Sequence, residues 1–289
     1  MALPELTSAR APLTREIETV NERGERARIP IPAERPLTLY VDKRELVTLM
    51  TLGAHPEWLV LGYLRNQRFV PALADIRSVT VDWDVGAAAV KTRAGIARLK
   101  ERTARRVVTT GCGQGSVFGG LMDEIESIAL PEAAMTQAQL YGIVNAIRLQ
   151  ESTYKSAGSV HGCALFRGEQ MLLFVEDVGR HNAIDTIAGW LWLQQHDPAS
   201  PLAGADPASF VFYTTGRLTS EMVIKSAQMG VPIVISRSGI TQMGHEIAER
   251  LGLCAIGRAT NKHFLCYTAA QRLVLQPELA GPAPLRAVA

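Results

Sequence analysis

Apolar side chains recur along this chain at two spacings, and the change from one to the other predicts its elements. Residues 36–51, PLTLYVDKRELVTLMT, alternate apolar and polar on either side of Asp42-Lys43, which predicts two short strands around a tight turn. Residues 55–67, HPEWLVLGYLRNQ, predict a helix with Pro56 near its first position, where a missing N–H costs nothing. Residues 76–93, IRSVTVDWDVGAAAVKTR, return to strand spacing and predict a second pair.

Helical spacing takes over further on. TQAQLYGIVNAIRLQ opens with Thr136 three residues before Gln139, a capping-box start, and sets Leu140, Ile143, Val144 and Ile147 on one face. SVHGCALF and MLLFVED predict strands joined by a turn at Arg167-Gly168-Glu169-Gln170. Helices at HNAIDTIAGWLWLQQ, SEMVIKSAQM and TQMGHEIAERLG then alternate with strands at FVFYT, PIVIS and CAIG, and FLCYT predicts a last strand. Short apolar strands alternating with amphipathic helices predict an α/β layer sandwich with a partly parallel sheet. The expected division is a loose polar segment over residues 1–35, a β-rich domain over 36–130 and an α/β domain over 131–289. Residues 196–209, HDPASPLAGADPAS, read as a surface loop.

Composition narrows the function classes. The 289 residues, 47% hydrophobic and 20% charged, can bury a core without covalent staples. A formal charge of +2 gives no whole-protein field for nucleic acid. No run approaches the roughly 20 apolar residues of a membrane span, and the first residues lack the apolar core of a secretory signal. A cytoplasmic location, with reduced thiols and no nucleic-acid or membrane partner, is the expectation. The charge is uneven, however: residues 93–106, RAGIARLKERTARR, hold six Lys or Arg against the single acid Glu101.

That basic run leads into TTGCGQGS, residues 109–116. Such a loop can cradle a phosphate or carry a working sulfur. No clear helix follows it to complete a phosphate cradle, and neither G-x-x-x-x-G-K-[ST] nor a strand-borne G-x-G-x-x-G is present. Cys163, Cys254 and Cys266 have apolar neighbours and read as core residues. Cys112 is flanked by glycines, and the upstream cations Arg102, Arg105 and Arg106 favour thiolate over thiol. This is the profile of a covalent group carrier, with a plain turn cysteine as the alternative.

Ligands of parallel sheets gather outside the carboxyl ends of the strands. Four successive strand ends here release basic side chains beside small hydrogen-bond donors: Arg180; Arg217 with Thr219 and Ser220; Arg237 with Ser238; and Arg258, Lys262 and His263. Like charges converging on one rim call for an anion, such as a nucleotide or pyrophosphate. The histidines form no H-E-x-x-H, no H-x-E is followed by the P-C-x-x-C that completes the zinc-deaminase signature, and no metal site is expected. His181 and Asp185, four apart on a predicted helix, read as a local polar pair or helix cap rather than a catalytic couple.

TTGCGQGS, VEDVGRHNAIDTIAGW, TTGRLTSEMVIKSAQMGVPIVISRS and GRATNKHFLCYT, in this order and spacing, resemble the FdhD family of formate dehydrogenase accessory sulfurtransferases. The likeness runs from about residue 35 to residue 270. It implies a small β-rich part joined to a cytidine-deaminase-like α/β part that lacks the deaminase zinc. It also implies a persulfide, taken from a cysteine desulfurase onto Cys112 and passed to the molybdenum bis(molybdopterin guanine dinucleotide) cofactor of formate dehydrogenase. The family's cofactor-binding stretch falls on Arg258, Ala259, Thr260, Asn261, Lys262 and His263. A free guanine nucleotide is the simplest mimic of that substrate, and a homodimer suits its two guanine arms. The family loop is commonly C-G-x-C, whereas Gly115 stands at the second cysteine here. That departure keeps a second reading open, a chaperone that binds and delivers the cofactor without moving sulfur.

Overall fold

The computed structural model describes residues 3–95 and 125–280; Cys112, its glycine loop and the basic run before it lie outside the described residues. In chain order the strands are β1 (Glu5–Leu6), β2 (Thr14–Val20), β3 (Arg26–Pro32), β4 (Arg35–Val41), β5 (Arg44–Thr51), β6 (Ile76–Asp82) and β7 (Ala87–Thr92). They continue with β8 (Met135–Thr136), β9 (His161–Arg167), β10 (Gln170–Asp177), β11 (Phe210–Thr214), β12 (Ile233–Ser236), β13 (Cys254–Thr260), β14 (His263–Cys266) and β15 (Leu273–Val274). The helices are α1 (Pro56–Asn66), α2 (Gln137–Leu149), α3 (Thr153–Ala157), α4 (Arg180–His196), α5 (Ser220–Gln228) and α6 (Gln242–Leu251).

Two mixed sheets organise the chain. A five-stranded sheet has the order β1-β6-β7-β4-β5, and a six-stranded sheet has the order β10-β9-β11-β12-β13-β14. In the larger sheet β11, β12 and β13 run parallel, while β9 and β14 run against their neighbours. Its central strands are apolar on both faces, as a sheet covered by helices on both sides requires. Phe210, Phe212, Val234 and Ala255 face one side, where α4, α5 and α6 pack. Val211, Tyr213, Ile233, Ile235, Cys254 and Ile256 face the other, against Leu140, Ile143 and Val144 of α2.

Local signals explain the boundaries. Thr136 accepts a hydrogen bond from the Gln139 amide while Gln139 accepts one from the Thr136 amide, so the expected capping box starts α2. Asp42 and Lys43 have φ of +46° and +71°, the left-handed pair that a two-residue hairpin turn needs. Residues 14–32, expected to be part of a loose lead-in, instead form the antiparallel hairpin β2–β3. Asn21 accounts for this, because its Oδ1 accepts from the Arg23 and Glu25 amides and closes the turn. Neither strand carries a buried residue, so no core-facing pattern announced them.

α4 joins the two sheets. It is buried around most of its circumference, with Ala183, Ile184 and Ile187 in the larger sheet's core and Trp192 and Leu193 in the core under α1. The α1–α4 crossing is backbone against backbone. A Cβ at Gly62 would lie 1.6 Å from the Asp185 carbonyl oxygen, and one at Gly189 would lie 2.0 Å from that of Trp58. Only hydrogens fit there. Gly62→Ala is therefore expected to cost about 3 kcal/mol or more, as overpacking of a rigid crossing does, read as a lower urea midpoint at unchanged slope.

Candidate functional site

The parallel run of β11, β12 and β13 brings three strand ends to one edge of the larger sheet, and hydrogen bonds zip the following loops together. The Arg237 amide donates to the Thr214 carbonyl at 3.0 Å, and the Arg258 amide to the Ser238 carbonyl at 2.7 Å. Ser236 Oγ donates to the Gly216 carbonyl at 2.7 Å and accepts from the Ser238 amide. β9 runs the opposite way and so contributes its beginning: the Gly162 amide donates to Thr215 Oγ1, and the Thr215 amide donates back to the Gly162 carbonyl.

A cleft of about 580 Å³ opens on this edge. Its floor is apolar, made by Val144, Ile147, Phe174 and Tyr213, and its rim carries Arg148, Lys155, His161 and Arg237. Of the residues singled out in the sequence, Arg237, Ala259, Thr260 and Asn261 line it. Arg258, Lys262 and His263 are exposed on the same β13–β14 hairpin but outside the lining. Arg258 and Asn261 hold φ near +50°, which sets the shape of the hairpin tip. The Lys262 carbonyl accepts from Tyr141 Oη at 3.1 Å, tying that tip to α2.

Arg217 is exposed, whereas Arg180 is 5% exposed and runs beneath Gly216, whose Cβ would meet Arg180 Cδ at 2.9 Å. Arg180 therefore acts on the edge through its field rather than by contact. His161 registers it: burial first, then Arg180 and Arg217, push its pKa below the usual histidine value, so it is neutral at pH 7. Burial pushes the Tyr213 hydroxyl up to about 12, against the pull of Arg237. Glu176 also borders the cleft, but its carboxylate accepts from the Thr153 and Tyr154 amides and so holds α3 beside the opening. Thr219 caps α5 without a side-chain bond to the helix, its Oγ1 buried with no partner among the described residues, and half-buried Ser220 is the first residue of that helix. Counting only the carboxyl ends of strands missed His161, Arg148 and Lys155; the antiparallel direction of β9 was the signal for the first.

Beneath this edge lies a buried polar cluster. Asp185 on α4, wholly buried, accepts from Lys225 Nζ of α5 at 2.8 Å and from Asn66 Nδ2 of α1 at 2.7 Å. His181 Nε2 lies 3.2 Å from Glu221 Oε2. The residues expected to form a local pair, His181 and Asp185, thus each face a partner on α5. Burial raises the pKa of Asp185 and of Glu221, while Lys225 opposes the rise in both. At the head of α4, Asp177 accepts from Thr51 Oγ1, the Leu52 and Gly179 amides and Asn182 Nδ2, and Asn182 also donates to the Met50 carbonyl. The segment EDVGRHNAID is chiefly a clamp between the two sheets. A second cleft of about 640 Å³, lined by Arg65, Arg68, Trp192 and Gln228, sits at the opposite ends of α1, α4 and α5, away from the loops just described.

Among the described residues, no three His, Cys, Asp or Glu side chains cluster as a metal ion would need, and no helix is long and apolar enough to cross a membrane.

Comparison with known proteins agrees with this architecture. Residues 32–274 match the FdhD/NarQ family. A sulfur carrier protein FdhD from Bacillus licheniformis is 31% identical over 242 residues, covering 83% of this chain and 88% of its own. Its counterpart from Bacillus subtilis is 29% identical over 255 residues, covering 87% and 94%. A crystal structure described as a formate dehydrogenase accessory protein, from Desulfotalea psychrophila, superposes with a TM-score of 0.70 at 23% identity, covering 91% of this chain and all of that one.

Lys225→Met is expected to cost about 3–5 kcal/mol by stranding the Asp185 charge, and adding Asp185→Leu should recover much of the loss. Urea denaturation of the single and double variants measures both.

Proposed function

Since the chain belongs to the FdhD/NarQ family, we propose that it is a sulfur carrier that serves formate dehydrogenase, with Cys112 as its catalytic residue. The observation that carries the reading is the cleft at the sheet edge. Cations from α2, α3 and the loop after β12 border it: Arg148, Lys155 and Arg237 outnumber Glu176 in its described lining, and Lys155 also lies 3.7 Å from Glu151. An apolar floor with a cationic rim suits the guanine and phosphate ends of a molybdenum bis(molybdopterin guanine dinucleotide), bound as substrate.

In this reading Cys112 thiolate attacks the terminal sulfur of a desulfurase persulfide. The new S–S bond forms as the old one breaks, and the desulfurase cysteine leaves as thiolate. Arg102, Arg105 and Arg106 favour the thiolate that starts the exchange. Arg237, Arg148 and Lys155 hold the phosphates, Arg217 and buried Arg180 add their field, and Thr260 and Asn261 offer polar contacts at the hairpin tip. Thr219, Ser220 and Ser238 shape the neighbouring loops, and Arg258, Lys262 and His263 extend the cationic edge. The α/β part is cytidine-deaminase-like in this reading, residues 36–130 form the β-rich domain, the working unit is a cytoplasmic homodimer, and the loss of a second loop thiol at Gly115 leaves a one-sulfur carrier.

Incubation with a cysteine desulfurase and cysteine should add the mass of one sulfur to the native chain and none to Cys112→Ala. The variant should also fail to restore formate dehydrogenase activity in cells lacking their own accessory protein. A Cys112→Ala chain that restores activity would instead establish the non-catalytic cofactor chaperone. For the cleft, Arg237→Ala is expected to weaken binding of guanosine diphosphate about tenfold, by loss of a charge-assisted contact worth about 1.4 kcal/mol, with a shallower salt dependence in calorimetry.

A further inference from the structure

Cys254 and Cys266 read as core residues in the sequence, yet their sulfurs lie 3.9 Å apart. Cys254 begins β13 and is buried, and Cys266 ends β14 and is only partly covered. The backbone around them is pinned. Ile256 is opposite Cys266 in register, and the Tyr267 amide donates to the Ala255 carbonyl at 2.8 Å. Thr268 Oγ1 donates to the Leu253 carbonyl and accepts from the Ala255 amide. The two thiols are thus held diagonally across one strand pair on the face covered by α2. Everything between them in sequence is the hairpin whose tip, residues 258–263, borders the cleft.

We propose that Cys254 and Cys266 are an oxidisable dithiol, which a hydroperoxide converts to a disulfide that staples the base of the β13–β14 hairpin. The partners are unequal in the way such a reaction needs. The hydrogen bond with Cys254 lowers the Cys266 thiol, against its partial burial, so the more accessible sulfur is the readier of the two to ionise. Cys254 is pushed up by that same bond and by burial, and stays a thiol beside it. Cys266 thiolate attacks one peroxide oxygen and the O–O bond breaks. The departing alkoxide takes a proton and leaves as alcohol, and Cys266 becomes a sulfenic acid. Cys254 sulfur then attacks Cys266 sulfur, the S–O bond breaks, and hydroxide leaves as water with the Cys254 proton. Two thiols are oxidised and one hydroperoxide is reduced to alcohol and water. The sulfurs close from 3.9 Å to the roughly 2.05 Å of a disulfide by side-chain rotation. Cys163 is the internal control: it is buried and pushed up to about 12, so it stays reduced.

The test uses the full chain carrying Cys112→Ser, so that the carrier thiol cannot exchange with the pair and failure of the sulfur-carrier reading leaves the result unaffected. After treatment with hydrogen peroxide and alkylation, peptide mapping without reductant should show one disulfide peptide joining residues 254 and 266. Dithiothreitol should abolish it, and alkylation should find Cys163 free. In the Cys266→Ser version the cross-link should vanish and Cys254 should oxidise at least tenfold more slowly. Three free thiols after treatment, a link through Cys163, or sulfinic acid at Cys266 without a link would overturn the proposal.

Discussion

Asp185 is the point on which the arrangement depends. One wholly buried carboxylate accepts from Lys225 of α5 and Asn66 of α1 while belonging to α4, so three helices meet at a single charge. Charges of this kind gain little stability over apolar packing, because desolvation consumes most of the attraction. What they impose is geometry, since a displaced partner leaves a charge in a medium that cannot solvate it. Here that geometry coincides with the Gly62–Gly189 crossing, where the backbones of α1 and α4 approach too closely for any side chain. The angle and height of α4 between the sheets are fixed twice over.

The consequence reaches the sheet edge through one turn of helix. α4 starts at Arg180, just after Asp177 and Asn182 have tied its head to the end of β5. With α4 fixed, the Arg180 stem is held under Gly216, and its charge adds to burial, with Arg217, in lowering the His161 pKa at the mouth of the cleft. The segment EDVGRHNAID, one of those that carry the family resemblance, supplies much of this frame. The side chains that line the cleft come from α2, α3, the start of β9, β10, the end of β11, the loop after β12 and the end of β13.

That division explains what could be read in advance. The strands and helices of the larger sheet were legible because both faces of it are covered, so their apolar runs are continuous and the turns between them are sharp. The convergence of Arg237 with residues 259–261 was legible for the same reason: parallel strands put their carboxyl ends on one edge. His161 was not, because finding it requires knowing that β9 runs against β11. Nor was the β2–β3 hairpin, whose polar faces carry no periodic signal and whose turn depends on one asparagine. The partners of His181 and Asp185 were hidden too. A spacing of four along a helix suggests that the two residues meet each other, and only the neighbouring α5 shows that each meets something else.

The cysteines show the same limit most clearly. Apolar neighbours in sequence correctly put Cys163 and Cys254 in the core, but they say nothing about what lies across the sheet. Register does, by placing Cys266 diagonally from Cys254 with the two sulfurs 3.9 Å apart. Proximity then changes the chemistry: a thiol that donates to its neighbour makes that neighbour the better nucleophile, while burial drives Cys163 the other way, against its hydrogen bond with Thr214. Three residues alike in composition and local sequence therefore divide into an inert sulfur and a reactive pair. The difference lies entirely in strand pairing, which holds the pair at the base of the hairpin whose tip borders the cleft.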